Sequence, residues 1–131
     1  MQKKSLSVLY VLVALAILTL LFALIDYFIH GLSPDWGVPE YYFKNKIIFG
    51  FLLSIMALFF TGPIGNVWLR AAIFSAVVGA LLQVRYYLTG YPLNFVILFL
   101  FIHFAILYVL AAAIFYFMDK DIKNLFNKAQ S

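Results

Sequence analysis

Few side chains in this sequence could take part in acid–base or binding chemistry, and most of them lie within apolar segments. Asp26 and His30 are four residues apart near the end of the first apolar segment, while Gln83 and Arg85 lie near the end of the third. His103 is the only histidine or charged residue in the central part of the fourth. Hydrocarbon disfavours ionisable groups, so each is a candidate for a functional role.

Asp26 should have a partner or be protonated, because it falls in the last turn of a predicted helix, where the helix dipole disfavours a carboxylate. Arg85, Lys44 and Lys46 are expected at the same depth, with Gln83 one turn away as a hydrogen-bond donor. One interpretation is a structural ion pair between Asp26 and Arg85 that locks two helix ends. The other is a vestibule that binds a polar or zwitterionic ligand.

His103 is expected close to the middle of a membrane, because it lies ~16 Å along a helix that starts at Pro92. A neutral histidine there could simply be hydrogen-bonded to Ser54, Thr19 or a backbone carbonyl of a neighbouring helix. The alternative is a proton relay or a ligand-binding role. The sequence leaves both interpretations open.

The sequence does not predict a metal site or a cofactor. Asp26 and His30 could supply half of a metal site, with Asp35 or Glu40 completing it, but the spacing is common and no H-E-x-x-H or similar cluster supports it. The chain has no cysteine, which excludes thiolate ligands and thiol nucleophiles. No serine lies in a G-x-S-x-G context. An enzyme is therefore the less favoured class, with no catalytic residues assigned.

Composition indicates an integral membrane protein with one domain. Of the 131 residues, 66% are hydrophobic and only 11% are charged, far from the balance of a soluble domain. The net charge of +4 comes from basic residues scattered at segment ends, so nucleic acid is not an expected partner. The expected partner is the lipid bilayer, with a homodimer or another membrane subunit as a further possibility.

The predicted fold is all-α, a polytopic four-transmembrane-helix bundle. Length, proline and glycine positions place the spans at residues 6–29, 39–61, 67–88 and 92–118. Residues 119–131 are predicted to be a short cytoplasmic interfacial tail, because apolar residues recur there at helical spacing. An extension of the fourth span is the alternative.

Charge distribution predicts the orientation, with both termini in the cytoplasm and the chain in the cytoplasmic membrane. The side of the termini is flanked by six basic residues: Lys3, Lys4, Arg70, Lys120, Lys123 and Lys128. The opposite side has three, which are Lys44, Lys46 and Arg85. An outer aromatic belt is expected from Trp36, Tyr41, Tyr42, Tyr86, Tyr87 and Tyr91, with Trp68 on the inner side.

Stripes of small residues predict which helix faces pack, because close approach replaces the hydrophobic effect inside a bilayer. The stripe on the second helix is Gly50, Ser54, Ala57 and Thr61, and that on the third is Ala72, Ala76, Gly79 and Gln83. These two stripes predict a tight antiparallel hairpin. The first helix should turn inward a face made of Ala16, Thr19, Ala23, Asp26 and His30.

The function most consistent with this pattern is binding or transport of a small polar, zwitterionic or lipid-like ligand. Asp26, Gln83, Arg85 and His103 would then line a pocket that opens to the outside. The alternative is a non-catalytic accessory subunit that docks on other membrane helices. A membrane enzyme acting on lipid headgroups is a third possibility, with Asp26 and His30 as its acid–base pair.

Overall fold

The computed structural model describes residues 2–126, which form four long helices and no strand. The helices are α1 (Gln2–His30), α2 (Glu40–Thr61), α3 (Val67–Leu88) and α4 (Leu93–Phe126), with a single 3-10 turn, Pro34–Trp36, between α1 and α2. All four are long and apolar enough to cross a membrane. The prediction of an all-helical, four-helix bundle is confirmed.

The helix bounds agree with the prediction most closely in the middle of the chain. α3 has the expected range, and α2 begins one residue later than expected. α4 continues without a break from Leu93 to Phe126, so residues 119–126 extend this helix instead of forming a separate tail. The remaining tail positions, including Lys128, lie outside the described residues.

Local sequence signals explain both ends of α3. The Asn66 side chain accepts hydrogen bonds from the backbone N–H groups of Trp68 and Leu69, at 2.9 and 3.1 Å, as a helix N-cap does. After the helix, Gly90 has a φ of +106°, which a residue with a Cβ rarely adopts. Gly90 thereby ends α3 in a Schellman motif, with the Tyr91 N–H donating to the Tyr86 carbonyl at 3.2 Å.

The helices pack in a ring, in which α4 contacts α3 and α1 most extensively and α2 contacts α1 and α3 less so. Gly50 brings α2 close to α1, since a Cβ there would lie 3.2 Å from the Thr19 methyl. Gly79 faces Leu107 and Phe104 of α4. These two glycines therefore serve the α1–α2 and α3–α4 contacts, and not the α2–α3 hairpin for which they were expected.

Burial confirms the predicted inner face of α1 and α2 but corrects that of α3. On α1, Thr19, Ala23, Asp26 and His30 are buried and Ala16 is half-buried; on α2, Gly50, Ser54, Ala57 and Thr61 are buried. On α3, Gly79 and Gln83 are buried as expected, but Ala76 is exposed and Ala72 is half-buried, whereas Ala71 and Ser75 are buried. α3 has two stripes of small residues that are one position, or ~100°, apart around the helix. The apolar Phe74 and Val78 favour burial of the stripe that contains Ala71 and Ser75.

Large apolar side chains are exposed along all four helices, with Phe101, Phe117 and Phe60 among the most exposed. An apolar exterior of this extent needs apolar surroundings or a partner. The polar side chains gather instead at the two ends of the bundle. We call these the loop end, which contains residues 31–39 and 89–92, and the turn end, which contains residues 62–66.

Candidate functional site

A buried cluster of ionisable side chains lies inside the bundle toward the loop end. Its centre is Asp26, which forms an ion pair with Lys46. The Nε2 atoms of His103 and His30 lie 2.9 and 3.2 Å from its two carboxylate oxygens. Asp26, Lys46 and His103 are fully buried, and His30 is 4% exposed. These four residues, from three helices, are named the Asp26 cluster.

Helical spacing places the members of the cluster on facing surfaces. Asp26 and His30 are one turn apart on α1, and Tyr42 and Lys46 are one turn apart on α2. His103 enters from α4. Phe22 and Phe99 form apolar walls, with ring centroids 5.1 and 5.6 Å from that of His103. The cluster therefore has a polar centre in surroundings that exclude water.

Lys46 has three polar neighbours within the bundle. Besides the ion pair with Asp26, its Nζ donates to the Tyr42 hydroxyl at 2.9 Å and lies 3.0 Å from His103 Nε2. Nζ also lies 4.2 Å from the centre of the Tyr42 ring, within the range of a cation–π contact. The ammonium therefore neutralises the carboxylate charge and is itself well satisfied.

His103 can hold its proton in either of two positions. Gln83 Nε2, a donor, lies 2.5 Å from its Nδ1, and a half-turn of the amide presents the oxygen as an acceptor instead. Its Nε2 contacts both the Asp26 carboxylate, which needs a proton, and the Lys46 ammonium, which supplies one. Since one Nε2 cannot both donate to Asp26 and accept from Lys46, only one of these two contacts is a hydrogen bond in either tautomer.

His30 joins the cluster to the connecting segment 31–39. Its Nδ1 lies 2.6 Å from the Trp36 carbonyl oxygen, which can only accept, so Nδ1 carries a proton. The ring stacks on Phe99 with centroids 4.2 Å apart, and Trp36 packs against the edge of the same phenylalanine at 5.6 Å. The segment 31–39 therefore folds over the cluster and fixes the orientation of His30.

A cavity of about 320 Å³ lies beside the cluster at the loop end. It is lined by aromatic, polar and turn residues: Tyr41, Tyr42, Asn45, Arg85, Tyr86, Thr89, Gly90, Tyr91 and Pro92. Tyr42 and Tyr86 are shared with the cluster side, with ring centroids 4.7 Å apart. This pair, named the tyrosine wall, also lies near Lys46, whose Nζ is 4.2 and 5.5 Å from the two ring centres. Neither Lys46 nor His103 lines the cavity.

Arg85 is the one formal charge that lines this cavity. Its guanidinium carbon lies 3.8 Å from the centre of the Phe49 ring, so the group is stacked and held in place. Among residues 2–126 no carboxylate lies within ion-pair distance of it. Nearby, burial first and the Tyr41 phenol second raise the pKa of Tyr91, so its hydroxyl remains a hydrogen-bond donor.

The turn end holds a second polar group, built around Arg70. Its side chain is fully buried, donates to the Asp119 carboxylate at 3.1 Å and also bonds the Ile64 carbonyl. Lys123 pairs with the other oxygen of Asp119 at 2.8 Å. Close by, Ser7 donates to Asp121 at 2.9 Å. These contacts tie the last turns of α4 to α1 and to the 62–66 turn, which explains the straight extension of α4.

Several expectations about the partners of the candidate residues are corrected. Asp26 pairs with Lys46 and not with Arg85, which lies on the far side of the tyrosine wall. His103 is bonded to neither Ser54 nor Thr19; Thr19 donates to its own helix, at the Leu15 carbonyl. The depth of a residue along its helix does not determine which side chains it contacts. The rotation of each helix about its own axis also has to be known.

The candidate residues divide between two places instead of lining one pocket. Asp26, His30, Gln83 and His103 meet in or at the buried cluster, while Arg85 lies in the cavity. The third histidine or carboxylate beside Asp26 and His30 is His103, and not Asp35 or Glu40. Asp35 is exposed in the loop, because the 3-10 turn directs the segment across the end of the bundle.

Sequence reasoning named Lys46 as one of three cations at the depth of Asp26, but it also counted Lys46 among the basic residues that flank the outer side. Tyr42 and Tyr86 were expected in the outer aromatic belt. All three are buried. A signal was present: Tyr42 and Lys46 continue the small-residue stripe of α2 backward in steps of four from Gly50. Extending the stripe through the polar residues would have placed both inside.

No protein-family model, curated protein or solved structure matches the chain. The cluster and the cavity are therefore the features from which a function can be inferred.

Proposed function

We propose that this chain is a multi-pass protein of the cytoplasmic membrane, with both termini inside, that binds a small anionic or zwitterionic ligand at its outer end. The ligand occupies the cavity beside Arg85. The observation that carries the proposal is a stacked, half-buried guanidinium that lines a cavity without a carboxylate partner among the described residues.

Insertion in a membrane is supported by the four apolar helices and by their exposed apolar side chains. The orientation follows from the excess of lysine and arginine at the turn end and both termini. The loop end then faces outward, and the cavity opens to the external solution or to the outer headgroup region.

The chemistry of the cavity favours a ligand with a carboxylate or phosphate group. A guanidinium binds planar or tetrahedral oxyanions through paired N–H donors, and tyrosine, threonine and asparagine side chains in the same wall add neutral donors. The ring faces of the tyrosines also suit a quaternary ammonium, if the ligand is zwitterionic. A free solute and a lipid headgroup share this chemistry.

Tyr42 links the binding site to the Asp26 cluster. Tyr42 lines the cavity and also accepts a hydrogen bond from Lys46, so a ligand that moves Tyr42 changes the surroundings of the ammonium. Transport through the bundle requires this tyrosine wall to open. Binding at the outer end requires no rearrangement, and is therefore the primary proposal.

The direct test compares ligand binding by the wild-type chain and by Arg85→Gln in detergent micelles. The probes are inorganic phosphate, glycine betaine and a soluble short-chain phosphatidylglycerol, which separate a free anion, a zwitterion and a lipid headgroup. At least one probe should raise the thermal unfolding temperature, and Arg85→Gln should weaken its binding at least tenfold.

Lys44→Gln is the matched control, because Lys44 is an exposed cation at the same end of α2. It removes the same charge and should leave the affinity within about twofold. Equal binding of every probe by Arg85→Gln and the wild type, or an equal loss in Lys44→Gln, would contradict a site at Arg85.

The orientation is tested separately by cysteine labelling, since the chain has no native cysteine. Asp35→Cys in the loop and Gly65→Cys in the turn are exposed positions at opposite ends. A membrane-impermeant maleimide added to intact cells should label Asp35→Cys, and should label Gly65→Cys only after permeabilisation. The reverse pattern would invert the proposed topology.

A further inference from the structure

We propose that Asp26, His30 and His103 form a binding site for one divalent transition-metal ion of borderline softness, such as Zn²⁺, for which the Lys46 ammonium is a built-in competitor. This inference goes beyond ligand binding at Arg85 and does not depend on it. The two sites lie on opposite sides of the tyrosine wall.

The distances among the donor atoms are those of a nearly assembled site. One ligand atom from each residue lies within 4.8 Å of the others. In a tetrahedral zinc site, bonds of about 2.0–2.1 Å place ligand atoms roughly 3.3 Å apart. The His30 Nε2 and His103 Nε2 atoms lie 3.2 and 2.9 Å from the two oxygens of Asp26, so small side-chain rotations suffice.

In the neutral His30 ring, the unprotonated nitrogen directs its lone pair at the Asp26 carboxylate. Nδ1 carries a proton, because it faces the Trp36 carbonyl at 2.6 Å. In the neutral ring Nε2 is therefore unprotonated, and it is buried with no hydrogen-bond partner among the described residues. Two acceptors facing each other at 3.2 Å repel unless a cation or an added proton lies between them.

The outer partners of the two histidines match those of metal-bound imidazoles. Metal-ligating histidines almost always donate the other ring N–H to a carbonyl, a carboxylate or water. Trp36 supplies such a carbonyl to His30. Gln83 Nε2 faces His103 Nδ1, and a half-turn of the amide brings Oε1, which has no partner among the described residues, to the position where it accepts the Nδ1 proton. In that tautomer the His103 Nε2 is also unprotonated and able to bind a metal.

The donor set selects the class of metal. Two imidazole nitrogens and one carboxylate suit zinc and neighbouring divalent transition metals. Calcium requires six to eight oxygen ligands, and magnesium prefers octahedral oxygen coordination. His30 also lines a surface cavity of about 480 Å³ beside the segment 31–39, which provides an entry route for the ion.

Lys46 sets the affinity of the site. Its ammonium already neutralises the Asp26 carboxylate, and a divalent ion beside a retained ammonium would leave excess positive charge in a dry interior. Metal binding therefore requires the Lys46 ammonium to turn away from Asp26. Replacing it with the uncharged methionine, which is of similar length, removes the competitor and leaves the carboxylate free for the metal.

The experiment measures metal bound to the full chain, purified in detergent with an affinity tag that contains no histidine. Zn²⁺ is added, excess is removed by gel filtration, and the metal per chain is measured by mass spectrometry. Co²⁺ replaces Zn²⁺ for visible absorption spectra, in which intense d–d bands report a tetrahedral site. The expected result is one ion per chain with tetrahedral Co²⁺ bands.

Three variants place the ion at the cluster, with folding checked by circular dichroism and gel filtration. His30→Ala should weaken Zn²⁺ binding at least tenfold, and Lys46→Met should strengthen it at least tenfold. Asp35→Asn, the matched control in the adjacent loop, should bind as the wild type does. If a variant fails to fold, the Co²⁺ spectrum of the wild type still decides the coordination.

The proposal is overturned if the wild-type chain retains no stoichiometric metal, whether or not Lys46→Met does. If only Lys46→Met retains the metal, the ammonium is the permanent cation of the cluster. It is equally overturned if His30→Ala binds as tightly as the wild type, or if the Co²⁺ spectrum is that of an octahedral surface ion.

Discussion

Each end of the bundle buries a cation opposite a carboxylate, yet the two ion pairs have very different surroundings. Lys46 and Arg70 are both fully buried. The partner of Arg70, Asp119, is 26% exposed and also pairs with Lys123, whereas Asp26 is fully enclosed. Water can solvate Asp119 when its partner is lost, but it cannot reach Asp26.

The comparison separates structural roles from functional ones. At the turn end, Arg70 neutralises Asp119 of α4 and also bonds the Ile64 carbonyl in the 62–66 turn. Both contacts serve to join α4 to this turn. At the loop end, Asp26 and Lys46 already neutralise each other, and two histidines add imidazole rings that the ion pair does not require. Because Asp26 is already neutralised without His30 and His103, the presence of these two histidines supports a functional site at the loop end.

Lys46→Met should have the largest effect on stability, because it leaves the Asp26 carboxylate buried without its cation. Loss of one partner of a buried ion pair costs about 3 kcal/mol or more. The free energy of unfolding, measured by SDS titration in mixed micelles without added metal, should fall by that amount. Lys44→Met, at an exposed position two residues away, should change the free energy of unfolding by less than about 0.5 kcal/mol. Equal losses in the two variants would contradict the role of Lys46 as the buried partner of Asp26.

Arg70→Met should have an intermediate effect, about 1–2 kcal/mol in the same titration, because the orphaned Asp119 is partly solvated and keeps Lys123. The loss should come mainly from the unpaired Ile64 carbonyl and the looser end of α4. A cost equal to that of Lys46→Met would contradict the proposed difference between the enclosed Asp26 and the partly solvated Asp119.

Lys123→Gln should have the smallest effect, under about 0.5 kcal/mol, because this is a surface pair one helical turn apart. Lys123 is 45% exposed, and its bond to Asp119 competes with water. Added salt should reduce even this contribution. A loss above 1 kcal/mol would mean that the turn end depends on the full three-residue network.

The sequence predicted the helices well because their signals are local. Apolar length, the Asn66 cap and the Gly90 terminus each depend on a few adjacent residues, and all are found in the structure. The inward face of α1 was also predictable, since Asp26 and His30 share a stripe with small residues.

The pairing inside the site could not be predicted, because it depends on how each helix is rotated about its axis. A rotation by one position, about 100°, exchanges Ala76 for Ser75 on the inner face of α3. The same uncertainty hid Lys46, whose long side chain could equally reach the membrane surface. Only the assembled bundle shows that Lys46, and not Arg85, neutralises Asp26.

The central claim is that Asp26 and Lys46 form an interacting ion pair in the closed interior beside the cavity. A double-mutant cycle of Asp26→Asn and Lys46→Met tests it most directly, through unfolding free energies measured in mixed micelles. The account predicts a coupling energy of about 2 kcal/mol or more, with the double variant clearly more stable than the sum of the single losses implies. Additive losses, with a coupling below about 0.5 kcal/mol, would contradict it.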